Sequence, residues 1–89
     1  MSNPKLLDTV AILTALSTDR LIINEDDRPH TRELPLGLLG TIVEVYAQEP
    51  NYLIEFSDTD GCEYAMALMR STELLVVHHS IAPSILTSA

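Results

Sequence analysis

The sequence predicts one small all-β domain in which five short strands form a closed or partly closed barrel. Residues 52–56 alternate between two faces with the period of a β-strand, and residues 41–46 are rich in β-branched side chains. Residues 58–61, with the sequence DTDG, have the composition of a tight hairpin turn. A chain of 89 residues suffices for a single domain with one hydrophobic core.

The chain divides into a short lead, the barrel and a tail. Residues 1–5 are expected to be a disordered lead, residues 6–79 the barrel, and residues 80–89 a C-terminal tail without charged side chains. Residues 18–36 are expected to form an inserted loop, because they contain two prolines and an acidic run. A short strand over residues 21–24 could form within this loop.

The first predicted strand lies within residues 6–16, where helix and strand propensities compete. Val10, Ile12 and Thr14 favour a strand, whereas the alanine and leucine content of the same stretch would suit a helix. We expect a strand, because the remainder of the domain has β patterning.

The second half of the chain contains the clearest strands. Residues 41–46, 52–56 and 74–77 are predicted strands, and one face of the second is expected to enter the core. That face consists of Tyr52, Ile54 and Phe56. Residues 69–73 lack strand alternation and are expected to form one short helical turn before the last strand.

The strand that follows the hairpin turn has two predicted faces. One carries Glu63, Ala65 and Ala67, and the other carries the larger apolar side chains, so we expect the second to face the core. Its members are Cys62, Tyr64, Met66 and Leu68. Cys62 is therefore interpreted as a packed core thiol, with a catalytic nucleophile as the less favoured alternative.

Charge and composition exclude several classes of protein. Thirteen Asp and Glu against five Lys and Arg give a net charge of −8, which argues against a nucleic-acid partner. One Cys excludes an intramolecular disulfide and fits a reducing compartment. No apolar run reaches the roughly 18 residues of a membrane span, and no signal-peptide pattern opens the chain. We expect a cytoplasmic protein without a membrane or nucleic-acid partner.

Two groups of residues resemble metal sites only superficially. His30, His78 and His79 are candidate ligands, but adjacent residues on an extended chain point in opposite directions. The Asp-x-Asp-Gly run at 58–61 resembles part of a calcium loop, although Phe56 and Ala67 occupy the positions of two required oxygen ligands. We expect no metal and no cofactor.

No arrangement of residues typical of an enzyme is evident. The sequence lacks a Gly-x-Ser-x-Gly elbow, a phosphate-binding loop and a dinucleotide fingerprint. Glu55 and Glu63 could face each other across the hairpin, where two close carboxylates would raise the pKa of one, but solvated surface carboxylates are the simpler interpretation. We expect a protein that is not an enzyme and has no catalytic residues.

Five segments, in this order, resemble short bacterial proteins of domain-of-unknown-function family 4926. They are LLDTV, GxxGTIVEV, YxIEFxD, DGxxYAM and LLVVH, at residues 6–10, 37–45, 52–58, 60–66 and 74–78. The resemblance implies an SH3-like β-barrel but no activity, ligand or binding residue. Ser17 departs from the proline that usually follows a leucine there, and an insertion lies between Thr18 and Gly37.

Protein binding is the function that these exclusions favour. The candidate surfaces are the arginine-bearing loop and the apolar tail, with the residues Arg20, Arg28, Arg32, Ile81, Ile85 and Leu86. We expect an interaction module that binds an unidentified protein or forms a homodimer. An acidic inhibitor or antitoxin-like protein that caps a basic partner is the alternative, and a small enzyme or metal-binding protein is less favoured.

Overall fold

The computed structural model describes residues 4–23, 33–58 and 60–79. In these ranges the chain forms an all-β fold with six antiparallel strands in one sheet, consistent with the small barrel predicted. The strands are β1 (Thr9–Ile12), β2 (Leu21–Ile23), β3 (Leu39–Val45), β4 (Tyr52–Ser57), β5 (Glu63–Met69) and β6 (Leu74–His78). Two short 3-10 turns, Thr18–Arg20 and Ser71–Glu73, precede β2 and β6.

The sheet has one strand more than predicted, and the extra strand lies in the long loop. The order across the sheet is β2-β5-β4-β3-β1-β6. Leu21–Ile23 pairs with β5, so the short strand that residues 21–24 could form is part of the sheet. At the base of the same loop, Leu16 and Leu34 are buried and exchange two backbone hydrogen bonds of 2.9 Å.

β1 is a strand, as predicted, and it lies second from one edge of the sheet, between β3 and β6. It pairs with β3 on one side and β6 on the other. Val10 and Ile12 point inward and are fully buried, so a four-residue strand supplies two core side chains. The helix that the alanine and leucine content would suit does not form, because successive side chains here alternate between the two faces of a sheet.

The inner face of β4 was predicted correctly. Tyr52, Ile54 and Phe56 are buried, and the residues between them lie on the outer face. They join a single core that β1, β3, β5, β6 and the loop base complete. The members are Val10, Ile12, Leu16, Leu34, Ile42, Tyr52, Ile54, Phe56, Ala67, Met69 and Leu74.

The predicted inner face of β5 was wrong. The buried side chains of β5 are Ala65, Ala67 and Met69, whereas Leu68 is exposed. Cys62 precedes the strand and is also exposed, so it is not a core thiol. Both faces of this strand are apolar, and a register shift between β4 and β5 separates the hairpin end from the rest.

Small side chains suit the inner face of β5 because its neighbours fill the available space. Ala65 pairs with Phe56, and Ala67 lies between Ile54 of β4 and Leu21 of β2. Met69, at the end of the strand, is the large side chain of β5 that enters the core, while Leu68 faces outward and Tyr64 is half-buried and packs against the edge of the core.

The hairpin turn forms as predicted. Gly61 has a φ of +83°, and its N–H donates to the carbonyl of Asp58 at 3.0 Å. Oδ1 of Asp58 accepts the N–H groups of Asp60 and Cys62 at 2.9 and 3.0 Å. This carboxylate oxygen thus organises the turn.

Arg20 links the two ends of the sheet. Its guanidinium donates to both carboxylate oxygens of Glu73, at 2.7 Å from Nη1 and 3.1 Å from Nη2. Nη2 also donates to the carbonyl of Leu68 at 3.1 Å. Because Arg20 precedes β2 and Glu73 precedes β6, this bidentate pair, here named the clasp, joins the terminal strands of the sheet order.

The two ends of the barrel chain also meet. Asp8 is almost fully buried, and its Oδ2 accepts the N–H of Lys5 at 2.9 Å and lies 3.1 Å from Nδ1 of His79.

Within residues 4–23, 33–58 and 60–79, the chain has no helix that could span a membrane.

Candidate interaction surface

The outer sides of β1, β3 and β6 form an apolar face. Ala11 is paired with Leu39 of β3 on one side and with Leu75 of β6 on the other, which makes a row across three strands. Leu39 is 54% exposed and Leu75 is 53% exposed. Leu13 and Val77, each about half exposed, extend the face along β1 and β6. The apolar face thus consists of Ala11, Leu13, Leu39, Leu75 and Val77.

The apolar face arises because both sides of β1 and β6 are apolar. Their inner side chains include Val10, Ile12 and Leu74, which belong to the core. Their outer positions would ordinarily carry polar residues in a sheet with one solvated face. Neither β1 nor β6 contains Asp, Glu, Lys or Arg, so the outer surface there carries no fixed charge of its own.

Carboxylates lie on β3 beyond Leu39, on β4 and β5, and at the hairpin between β4 and β5. Glu44, Glu55 and Glu63 lie on β3, β4 and β5, and Asp58 and Asp60 lie at the hairpin between the last two. These five residues define the acidic side. The row Thr9–Thr41–Glu55 connects it to the apolar face, because the three residues are neighbours in the β1–β3–β4 register.

Arg20, one of the predicted interaction residues, lies in the clasp. The hydrogen bond from Arg20 lowers the pKa of the Glu73 carboxyl, outweighing the opposing effect of partial burial. The same hydrogen bond raises the pKa of Arg20. Both directions describe a stable ion pair, so the guanidinium is already engaged within the molecule.

The other predicted interaction residues, Arg28, Arg32, Ile81, Ile85 and Leu86, lie outside the described residues. The apolar face was missed at the sequence level. Its signal in the sequence is the absence of polar alternation in residues 9–13 and 74–77.

A shallow cleft lies beside the clasp. It has a volume of about 480 Å³ and is lined by Arg20, Pro50, Leu68, Arg70, Thr72 and Glu73. Arg70 is largely exposed, and its Nε is 4.0 Å from a carboxylate oxygen of Glu49, which is also exposed. The lining therefore contains two guanidinium groups and one carboxylate, and the carboxylate of Glu49 lies beside Arg70.

The two carboxylates considered for catalysis, Glu55 and Glu63, lie on β4 and β5. Glu55 pairs with Met66 and Glu63 with Ser57, so the two carboxylates do not face each other as anticipated. Burial, followed by the charge of Asp58, raises the pKa of the Tyr64 phenol, which favours its protonated form.

Two of the three histidines considered as metal ligands, His78 and His79, lie at the end of β6 and directly after it. His30 lies outside the described residues, and His79 contacts the buried carboxylate of Asp8. Across residues 4–23, 33–58 and 60–79, no group of three or more His, Cys, Asp or Glu side chains could hold a metal ion.

Comparison with known proteins gives one match. No curated protein and no solved structure matches the chain. The family model described as "Domain of unknown function (DUF4926)" matches residues 6–76, which include all six strands up to the middle of β6. Because the match spans most of the 89 residues, the chain belongs to the DUF4926 family.

Proposed function

We propose that this protein is a non-enzymatic interaction module that binds another polypeptide through the apolar face. The observation that carries the proposal is the row Leu39–Ala11–Leu75, in which the leucines of the two strands that flank β1 are each more than half exposed. Contiguous apolar surface on a small domain is typical of a docking site, whereas single exposed leucines are ordinary.

The size of the apolar face supports a docking role. The exposed parts of its five side chains amount to on the order of 350 Å², within the ~300–600 Å² of the largest patch on a typical monomer, which is often functional. The strands beneath it are paired with one another in the sheet. Such a surface needs little ordering upon binding, which lowers the entropic cost of association.

A second candidate function rests on the acidic side. Glu44, Glu55 and Glu63 give three neighbouring strands a common negative charge. In this alternative the protein is an acidic inhibitor or antitoxin-like protein that caps a basic surface. Electrostatic attraction would then dominate, and affinity would fall steeply as salt screens the charges.

Affinity capture with matched variants tests the proposal. The wild-type protein, a face variant (Leu39→Thr with Leu75→Thr) and a control variant (Ile22→Thr with Leu68→Thr) would be immobilised and exposed to lysate of the source organism. Threonine keeps the strand propensity while removing apolar area. The control removes exposed apolar side chains from β2 and β5, at the opposite end of the sheet.

We expect the wild type and the control to retain the same polypeptide and the face variant to lose it. Binding should persist when NaCl is raised from about 0.05 M to about 0.5 M, since apolar contact is not screened. Retention by the face variant would overturn the proposal. If the polypeptide is released at high salt and a Glu44→Gln, Glu55→Gln variant also fails to retain it, the acidic-cap alternative is established instead.

A further inference from the structure

We infer that the polypeptide bound by the apolar face is a basic amphipathic segment, in which apolar side chains lie next to Lys or Arg. The inference rests on the proposed function and names the chemistry of its partner. It follows from the sign of the charges on the sheet, from the place where they border the apolar face and from the area of that face.

The fixed charges of the six strands are all negative. The strands contain the carboxylates of Glu44, Glu55 and Glu63 and no Lys or Arg. The basic residues of the chain fall outside the ranges of these strands: they are Lys5, Arg20, Arg28, Arg32 and Arg70. A polypeptide that lies across the strands therefore meets carboxylates and no fixed cation on them, which favours a cationic partner.

The carboxylate of Glu55 borders the apolar face. Thr41 follows Leu39 by two residues on the same side of β3, and it pairs with Glu55 of β4. With a rise of ~3.4 Å per residue and a strand spacing of ~4.8 Å, the backbones of Leu39 and Glu55 are about 8 Å apart. One short segment can therefore place an apolar side chain on Leu39 and a Lys or Arg beside Glu55. Glu44, which is exposed, lies further along β3 on the same border.

The other borders of the apolar face offer less to a charged partner. Glu73 lies beside Leu13, whose N–H donates to its carbonyl at 2.8 Å, but Arg20 already binds the Glu73 carboxylate. On the far side, β6 contains no Asp, Glu, Lys or Arg. The basic part of the segment is therefore expected over β3 and β4, and its apolar part over β1 and β6.

Net charge and area also select this kind of partner. The charge of −8 attracts a cationic segment and repels an acidic one. The apolar area, on the order of 350 Å², is about half of the ~800 Å² that one partner buries in a standard interface. A short segment covers such an area more completely than a folded domain does.

Three synthetic peptides, acetylated and amidated, test the inference. They are KKLVALVKK, EELVALVEE and KKSTASTKK, which differ in the sign of the flanking charge or in the apolar centre. Nuclear magnetic resonance of the isotopically labelled full chain follows amide shifts at about 0.1 mM protein and up to about 2 mM peptide. We expect the basic apolar peptide to shift the amides of the apolar face together with Glu55, and to bind at least tenfold more tightly than the other two.

Variants of the protein separate the apolar from the electrostatic contribution. The face variant (Leu39→Thr with Leu75→Thr) should bind the basic apolar peptide at least tenfold more weakly. Glu55→Gln should weaken binding about threefold, as expected for an ion pair at the rim, and the control Glu49→Gln, with the same net charge, should match the wild type. If circular dichroism shows that the face variant is unfolded, the single variants Leu39→Thr and Leu75→Thr replace it.

The possible results distinguish this inference from the proposed function. Equal binding of the acidic and basic apolar peptides, equal binding of the two basic peptides, or equal effects of Glu55→Gln and Glu49→Gln would overturn the inference. Absence of binding up to about 2 mM peptide would do the same. So would amide shifts of the apolar face that depend on the concentration of the protein alone, which would assign the face to a second copy. In each case, lysate capture that depends on the apolar face leaves the interaction module standing, whereas capture independent of the face overturns both.

Discussion

The clasp between Arg20 and Glu73 is a bidentate ion pair on a partly exposed surface. Its two hydrogen bonds are 2.7 and 3.1 Å long, and the N–H of Arg70 donates a third to Glu73 at 3.0 Å. Solvent reaches 39% of the Arg20 side chain and 22% of that of Glu73. The energy of the pair is therefore that of a well-formed surface salt bridge and not of a buried one.

We predict that Glu73→Gln lowers the free energy of unfolding by about 0.5–1 kcal/mol at neutral pH. The folded-state pKa of Glu73 is lowered, chiefly by the Arg20 hydrogen bond, so its contribution is complete above its ordinary value of 4.5. The contribution is lost as pH falls through the lowered folded pKa. Urea unfolding of wild type and variant from neutral to strongly acidic pH measures the difference, which should shrink toward zero at the acidic end.

Glu49→Gln is the matched control for this prediction. Glu49 lies 4.0 Å from Arg70, and both side chains are more than half exposed, so its loss should leave stability unchanged at every pH. A Glu73→Gln difference that stays constant down to strongly acidic pH would contradict the role assigned to the clasp.

Among the structural elements, β3 depends on a position without a side chain. Gly40 lies on the inner face of β3, and a Cβ there would be 2.6 Å from Cγ2 of Ile54. The same Cβ would be 3.0 Å from the Glu55 carbonyl oxygen and from Cε1 of Phe56. These contacts involve buried side chains and backbone, which cannot move aside without disturbing β4.

We predict that Gly40→Ala destabilises the fold by about 2 kcal/mol, because overpacking a dense core costs about 1–3 kcal/mol. Denaturant unfolding followed by circular dichroism measures the change. Gly61→Asn is the control: nothing lies within 4 Å of a Cβ at Gly61, and asparagine tolerates its positive φ. An alanine variant at Gly40 as stable as the control would refute the close approach of β3 and β4.

The elements also show which kinds of sequence signal determine a strand. The inner face of β4 was predictable because Tyr52, Ile54 and Phe56 recur at every second position and include both aromatic residues of the strand. The inner face of β5 was not, because an apolar residue occupies either side and only the neighbours Phe56 and Leu21 leave room for alanine. Pairing between distant strands therefore decided what local alternation left open.

At the scale of the whole molecule, the −8 charge should destabilise the compact state through repulsion among like charges. We predict that raising NaCl from about 0.05 M to about 0.5 M increases the thermal midpoint, because screening weakens this repulsion. Differential scanning calorimetry measures the effect. The increase should be smaller in a Glu44→Gln, Glu55→Gln variant; an equal response in both proteins would argue against repulsion on the acidic side.

The sequence by itself determined the all-β class, the positions of β1, β3, β4 and β6, the hairpin turn and the family. These features depend on local alternation, on β-branched side chains and on the turn chemistry of Asp58 and Gly61, all of which act over a few residues. The family match over residues 6–76 rests on the same local segments.

Only the tertiary structure decided that β2 joins β5, that Arg20 forms the clasp with Glu73, and that Leu39, Ala11 and Leu75 form one row. Each of these facts brings together residues that are far apart in the sequence. Strand registers and cross-sheet contacts are selected by the packing of the complete core, and no local pattern encodes them. The surface proposed for binding is therefore visible only once the sheet has formed.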